Sequence, residues 1–104
     1  MKNTLLSVSA LCTALLLQPA WAVDGETLYN TKACMACHKI DVRVVGPSYK
    51  EVTAKYASQA DAASYLAGKI KNGSQGVWGP IPMPANAVTE EEARILAEWV
   101  LTHK

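Results

Sequence analysis

Residues 34–38 read Cys-Met-Ala-Cys-His, and the only other cysteine is Cys12. Two thiols separated by two residues cannot cross-link distant parts of a chain, so they are no staple of the kind small domains use. A staple would be useful here. The 104 residues allow one domain, and the folded part is expected to be shorter. Met1-Lys2-Asn3 gives a charged start, Leu5 to Leu17 an apolar run, and Ala20-Trp21-Ala22 a small-x-small cleavage site, which is the pattern of a removed secretory signal peptide over residues 1–22. The apolar run is 13 residues long (5 to 17), short of the roughly 20 that a membrane-spanning helix needs. No second apolar segment follows, so no stable membrane anchor is expected. Cys12 follows Leu11, where lipid attachment wants a small residue, and is expected to leave with the leader. The domain is thus expected over residues 23–104, 82 residues without a single phenylalanine. A core of that size is marginal on its own, so something else should fill its middle.

Without Lys2, nine basic residues balance nine acidic ones. That neutrality argues against nucleic acid as a partner. The charges are unevenly placed: residues 32–71 carry seven basic and three acidic residues, whereas Glu90, Glu91, Glu92 and Glu98 crowd the C-terminal segment. One face is a candidate basic docking patch, with an ordinary solvated surface as the alternative.

The pattern along the chain is all-α. Residues 24–33 open as a helix after Asp24, burying Leu28 and Tyr29. Ser48 with Glu51, Ser58 with Asp61, and Thr89 with Glu92 have the spacing at which a hydroxyl and a carboxylate reciprocally satisfy free N–H groups, predicting three further helix starts. The second helix carries Tyr49, Val52 and Tyr56; the third presents Ala63, Leu66, Ala67 and Ile70 and stops at Asn72-Gly73; the last runs from Glu90 to about His103 with Ala93, Leu96, Ala97 and Val100 on one face. Val42 to Val45 has strand-like composition but no partner, and reads as loop. Gly73 to Val88 spans 16 residues with no regular structure expected. Loops of that length in compact domains are usually functional or disordered, and its prolines argue against disorder.

A C-x-x-C-H run is the attachment pattern of c-type haem: the two thiols add to the vinyl groups and the adjacent histidine becomes an axial iron ligand. On this reading Cys34 and Cys37 carry one haem c through two thioethers, and His38 ligates the iron. The alternatives are weaker. A redox dithiol wants a βαβ setting, and tetrahedral zinc wants a second Cys or His pair, for which only His103 is left. A closed haem site also needs a sixth ligand. Met1 leaves with the leader and Met35 lies inside the attachment loop, so Met83, 45 residues past His38 (83 − 38), is the candidate. Core filling is the competing role for Met83, yet it sits between Pro82 and Pro84 rather than on a helix stripe. Pro80, Pro82 and Pro84 fix φ and lack N–H donors, which lowers the entropy cost of ordering the loop around a weak thioether ligand. His/Met ligation implies a raised reduction potential.

Cys-Met-Ala-Cys-His, Val45-Gly46-Pro47-Ser48-Tyr49-Lys50 and the long run Ile70 to Pro84 (Ile-Lys-Asn-Gly-Ser-Gln-Gly-Val-Trp-Gly-Pro-Ile-Pro-Met-Pro), with Ala87-Val88, resemble class I c-type cytochromes, and within them the small bacterial c-551 group. The resemblance covers the whole expected domain and implies about four helices packed around the haem. It further implies that the Pro47 carbonyl accepts the Nδ1 proton of His38, that Asn86 bonds the Met83 sulfur, and that the Trp78 indole N–H reaches a haem propionate. Each has a plainer competitor: Pro47 positioning the Ser48 cap, Asn86 serving a turn, Trp78 packing on the ring. Lys69 stands where some relatives have Arg, so the resemblance leaves its propionate contact open. Trp99 and Leu28 resemble the terminal-helix crossing of that fold.

Together these readings describe an electron-transfer protein of a bacterial periplasm, not an enzyme. Met35, Val44, Val45, Ile81 and Pro82, with Lys32, Lys39 and Lys50 around them, form the expected docking edge of a monomer that meets redox partners transiently. The resemblance implies the denitrification chain, with a haem cd-type nitrite reductase or a terminal oxidase as acceptor and quinol–cytochrome c reductase among the donors. The alternative is a haem enzyme or gas-binding protein with an open sixth position, but residues 76–86 contain no distal His or Arg to serve it.

Overall fold

The computed structural model describes residues 23–104; the leader expected over residues 1–22, with Cys12, lies outside the described residues. Four helices follow in order: α1 (Gly25–Thr31), α2 (Tyr49–Tyr56), α3 (Ala62–Asn72) and α4 (Glu90–Val100), with a short 3-10 turn at Cys34–Ala36 between α1 and α2. The fold is all-α. Among the described residues the extended chain pairs only at one isolated antiparallel bridge, between Ser74 and Met83.

Local chemistry accounts for most helix starts. Asp24 caps α1 by accepting the Thr27 N–H at 2.8 Å. Reciprocal capping boxes start α2, through Ser48 and Glu51, and α4, through Thr89 and Glu92. The third expected pair does not form. Helix α3 begins only at Ala62, and Asp61 makes no side-chain cap bond. The chain leaving Tyr56 instead makes two turns, Gln59 N–H to Tyr56 O and Ala62 N–H to Gln59 O, so the backbone at Ser58 is turning and does not open a helix. At the other end of α3, Gly73 takes a left-handed φ of 86°, and an added Cβ would lie 2.8 Å from the Met83 carbonyl. Helix α4 stops at Val100 rather than near His103, and its last residues close as tight turns onto Trp99 O and Val100 O.

Helix α4 is the hub, packing against α1, α2 and α3. Leu28, Leu96 and Ala97 are almost wholly buried there, with Val52, Tyr56, Leu66, Ala93 and Val100 around them. Each large aliphatic side chain contributes on the order of 1.5–3 kcal/mol by leaving water. The crossing of α1 and α4 is closer than a Leu28–Trp99 pairing requires: a Cβ on Gly25 would sit 2.1 Å from Trp99 Cβ, so the helices touch at a glycine. No helix among the described residues is long and apolar enough to cross a membrane.

Candidate haem centre

Between these helices and the 74–86 loop lies an apolar cavity of about 500 Å³. Cys34, Cys37 and His38 line it from the attachment turn, Tyr49, Val52 and Tyr56 from α2, Leu66, Lys69 and Ile70 from α3, Leu96 and Val100 from α4, and Trp78, Met83 and Asn86 from the loop. The volume is within the roughly 300–1,000 Å³ typical of cofactor sites. Two free thiols, an imidazole and a thioether converge on it. That donor set in an apolar cavity fits a haem c.

The turn that presents the thiols is held in an uncommon backbone shape. Ala33 adopts a left-handed φ of 63°, the one non-glycine residue to do so among the described residues, and thereby redirects the chain from α1 into the 3-10 turn. His38 N–H then donates to Cys34 O at 2.9 Å. The Cys34 thiol is half-buried, and that burial pushes it above its ordinary pKa, keeping it protonated.

His38 is fixed from three directions. Its Nδ1 lies 2.7 Å from Pro47 O, and since a carbonyl has no proton to give, Nδ1–H is the donor. The lone pair on Nε2 is then left for a metal, the arrangement second-shell carbonyls impose on ligating histidines. The ring stacks on Tyr49 at 5.2 Å, and Gly46 closes the other approach, where a Cβ would lie 2.6 Å from His38 Cε1. Tyr49 is itself wedged between Tyr29 and Trp99 at 5.5 and 5.8 Å.

Met83 is held more lightly. Its side chain is half-buried, and its backbone exchanges two hydrogen bonds with Ser74, at 2.9 and 3.0 Å. Asn86 lies on the same loop and makes two contacts to backbone carbonyls. Its amide donates to Ile70 O at 2.8 Å and to Pro84 O at 3.3 Å, so both hydrogens serve the backbone and fasten the loop to the end of α3. Trp78 lines the cavity with Lys55 Nζ at 5.0 Å and Arg43 Cζ at 5.7 Å from its ring centroid, and Lys69 lies 5.3 Å from the ring centroid of Tyr65.

At the surface, Met35, Val44, Val45 and Ile81 are exposed apolar side chains, Ile81 at 64%, and Pro82 is exposed beside them. Val42 and Val77 are exposed apolar side chains as well. The lysines of the expected docking edge differ from one another: Lys32 faces Glu92 at 3.7 Å, Lys50 pairs with Asp41 at 2.7 Å, and Lys39 donates to Met35 O. Sequence reasoning missed Ser74 and the Ile70 carbonyl, because a backbone bridge carries no residue signature. It also read Tyr49 and Tyr29 only as core; an aromatic two positions after Pro47 was the available signal for the first.

The sequence profile of the cytochrome c family matches residues 22–104. The chain is 62% identical over 104 residues to cytochrome c-551 of Stutzerimonas stutzeri, covering all of both chains. It is 61% identical over 100 residues to cytochrome c-551 of Pseudomonas aeruginosa, covering 96% of this chain and 95% of the relative. The solved structure of Nitrosomonas europaea cytochrome c552 superposes with a TM-score of 0.74 at 54% identity, over 76% of this chain and 99% of that one. With the thiol pair, the oriented imidazole and the helical cage already in place, the chain belongs to the cytochrome c family as a class I c-type cytochrome.

Proposed function

We propose that this chain is a periplasmic single-electron carrier, exported by cleavage of residues 1–22, with one haem c held through thioethers at Cys34 and Cys37 and ligated by His38 and Met83. Membership of the cytochrome c family implies a covalently bound haem c and a small electron carrier. The observation that carries the ligand reading is the convergence of His38 and Met83 on the same apolar cavity as the two thiols, with His38 turned by Pro47 so that Nε2 is free. When bound, the haem supplies a one-electron ferric/ferrous couple, whose potential a neutral thioether raises.

The chain's own residues make that couple usable. Pro47, Gly46 and Tyr49 hold the imidazole in one orientation. Ser74 and the flanking prolines hold the thioether, so neither donor has far to move when the iron changes charge. Apolar side chains from α2, α3 and α4 exclude water and lower the reorganisation that accompanies transfer. No carboxylate lines the cavity, His38 is its one histidine among the described residues, and Arg43 and Lys69, which also line it, lie over the Trp78 and Tyr65 rings, so the loop that presents Met83 brings no acid–base group for peroxide or oxygen chemistry.

The exposed patch of Met35, Val44, Val45, Ile81 and Pro82 is the proposed docking edge, with Lys39, Lys32 and Lys50 beside it. Its partners are proposed to be a haem cd-type nitrite reductase or a terminal oxidase as acceptor and quinol–cytochrome c reductase as donor, in the denitrifying respiration implied by resemblance to the c-551 group. Because Lys32 and Lys50 already face carboxylates, the apolar side chains are expected to contribute more to binding than these two charges, and transfer rates should depend weakly on salt.

Optical spectra test the ligand reading. The ferric protein should show a weak far-red sulfur-to-iron band that disappears in Met83→Ala, and the ferrous parent should take up no carbon monoxide. Ready carbon monoxide uptake by the parent, without that band, would overturn the closed His/Met site in favour of an open haem enzyme or sensor.

A further inference from the structure

The aromatic ring of Tyr29 belongs to the core of α1, but its hydroxyl does something a phenylalanine in the same place would not. It donates to the backbone carbonyl of His38 at 2.8 Å. Among the described residues no backbone N–H is bonded to that carbonyl, so Tyr29 is its donor. The same ring meets Tyr49 edge-on at 5.5 Å, and Tyr49 stacks on the His38 imidazole at 5.2 Å. Tyr29 therefore reaches His38 twice, through a hydrogen bond to its peptide unit and through one intervening ring to its side chain. It is 8% exposed and also packs against Trp99 at 5.2 Å, so its own position is set by the α1–α4 crossing at Gly25.

We infer that Tyr29 is a positioning residue for the axial imidazole: its hydroxyl anchors the peptide unit from which the His38 ring hangs, while Pro47 anchors the ring itself. A ring held at Nδ1 alone keeps freedom to swing about that bond; fixing the carbonyl as well removes the backbone rotation such a swing needs. The terminal-helix crossing is thereby coupled to the orientation of a proposed iron ligand about the axis of ligation. This rests on His38 being that ligand.

The test compares Tyr29→Phe with Thr53→Val in the haem-loaded protein. Thr53 donates a buried hydrogen bond of the same length, 2.8 Å, to Val100 O, and so serves as a control for lost stability alone. Two readouts follow His38: the pattern of haem-methyl proton shifts in the ferric protein, which reports the angle of the axial ring, and the exchange rate of the His38 Nδ1 proton in the ferrous protein. Tyr29→Phe is expected to redistribute the methyl shifts and to speed that exchange by roughly tenfold, the equivalent of one lost hydrogen bond. Thr53→Val should lower the unfolding temperature comparably and leave both readouts unchanged. If Tyr29→Phe lowers stability while methyl pattern and exchange stay as in the parent, or if Thr53→Val alters them equally, the positioning role is overturned. A parent protein with no His-ligated low-spin spectrum would instead overturn the ligand reading itself, a separate outcome.

Discussion

The wall that carries His38 and the loop that carries Met83 line the same cavity by opposite means. The wall is packed. His38 is fixed by the Pro47 carbonyl, by the Tyr49 ring and by a glycine so close that a methyl group would overlap the imidazole. The loop is tethered instead, with exposed prolines, a two-bond bridge from Met83 to Ser74 and one amide from Asn86 to α3. Packing gives a geometry that resists change because every displacement meets an atom. Tethering by a stiff backbone lowers the entropy lost on ordering and leaves the segment able to yield. One donor is thus held by the core, the other largely by its own chain.

Substitution of glycine on each side is the strongest way to break this comparison. Gly46→Ala drives a Cβ to 2.6 Å from His38 Cε1, and should cost about 3 kcal/mol and displace the ring from Pro47. Gly76 meets nothing within 4 Å and is constrained only by its φ of 76°, so Gly76→Ala should cost about 1 kcal/mol. Denaturant unfolding of the two haem-loaded variants measures the gap; equal losses would mean that the wall is no stiffer than the loop.

A smaller effect sharpens the contrast on the Met83 side. Pro82→Ala should lower stability by only about 0.4–1 kcal/mol, acting through the unfolded chain. With Met83 as the proposed iron ligand, the same change should make it easier to replace, so added imidazole should displace it several-fold faster than in the parent, as followed by stopped-flow absorbance. An unchanged rate would show that the Ser74 bridge alone sets the tether.

The smallest effect is in the response to acid. The Ser48 backbone N–H holds the Glu51 carboxyl below its ordinary pKa, and the Thr89 N–H does the same for Glu92. Groups shifted down stabilise the fold above their unfolded pKa, and that contribution fades as pH falls below about 4.3 towards the folded value. Residues 74–86 contain no titratable side chain, so this dependence belongs to the wall and not to the loop. Glu51→Gln should flatten the fall in unfolding temperature between about pH 5 and about pH 3, while leaving the far-red band unchanged near neutrality. A parallel curve for the variant would remove the link.

The capping boxes of α2 and α4 were legible as spacing, because a hydroxyl and a carboxylate three residues apart need only their own helix to bond. Ser58 and Asp61 have the same spacing and fail, because the turns after Tyr56 take the local backbone elsewhere. The thiol pair with its adjacent histidine and the proline-flanked methionine were visible for the same reason: their chemistry is written in contiguous residues. The backbone partners of Asn86 are not legible by those means. Its side chain had a choice among nearby acceptors, and only the placement of the α3 end beside the loop selects the Ile70 carbonyl.

Residues close along the chain set the helical periodicities, two of the three caps proposed from hydroxyl–carboxylate spacing, and the donor set that faces the cavity. Tertiary structure decided which of those groups meet and how firmly. The contacts of Tyr29 with His38, Gly25 with Trp99 and Met83 with Ser74 join residues 9, 74 and 9 positions apart (38 − 29, 99 − 25, 83 − 74). Contacts across such separations are set by the packing of helices around one cavity, where close approach and hydrogen-bond satisfaction must be met together, and no local pattern in the chain encodes that joint condition.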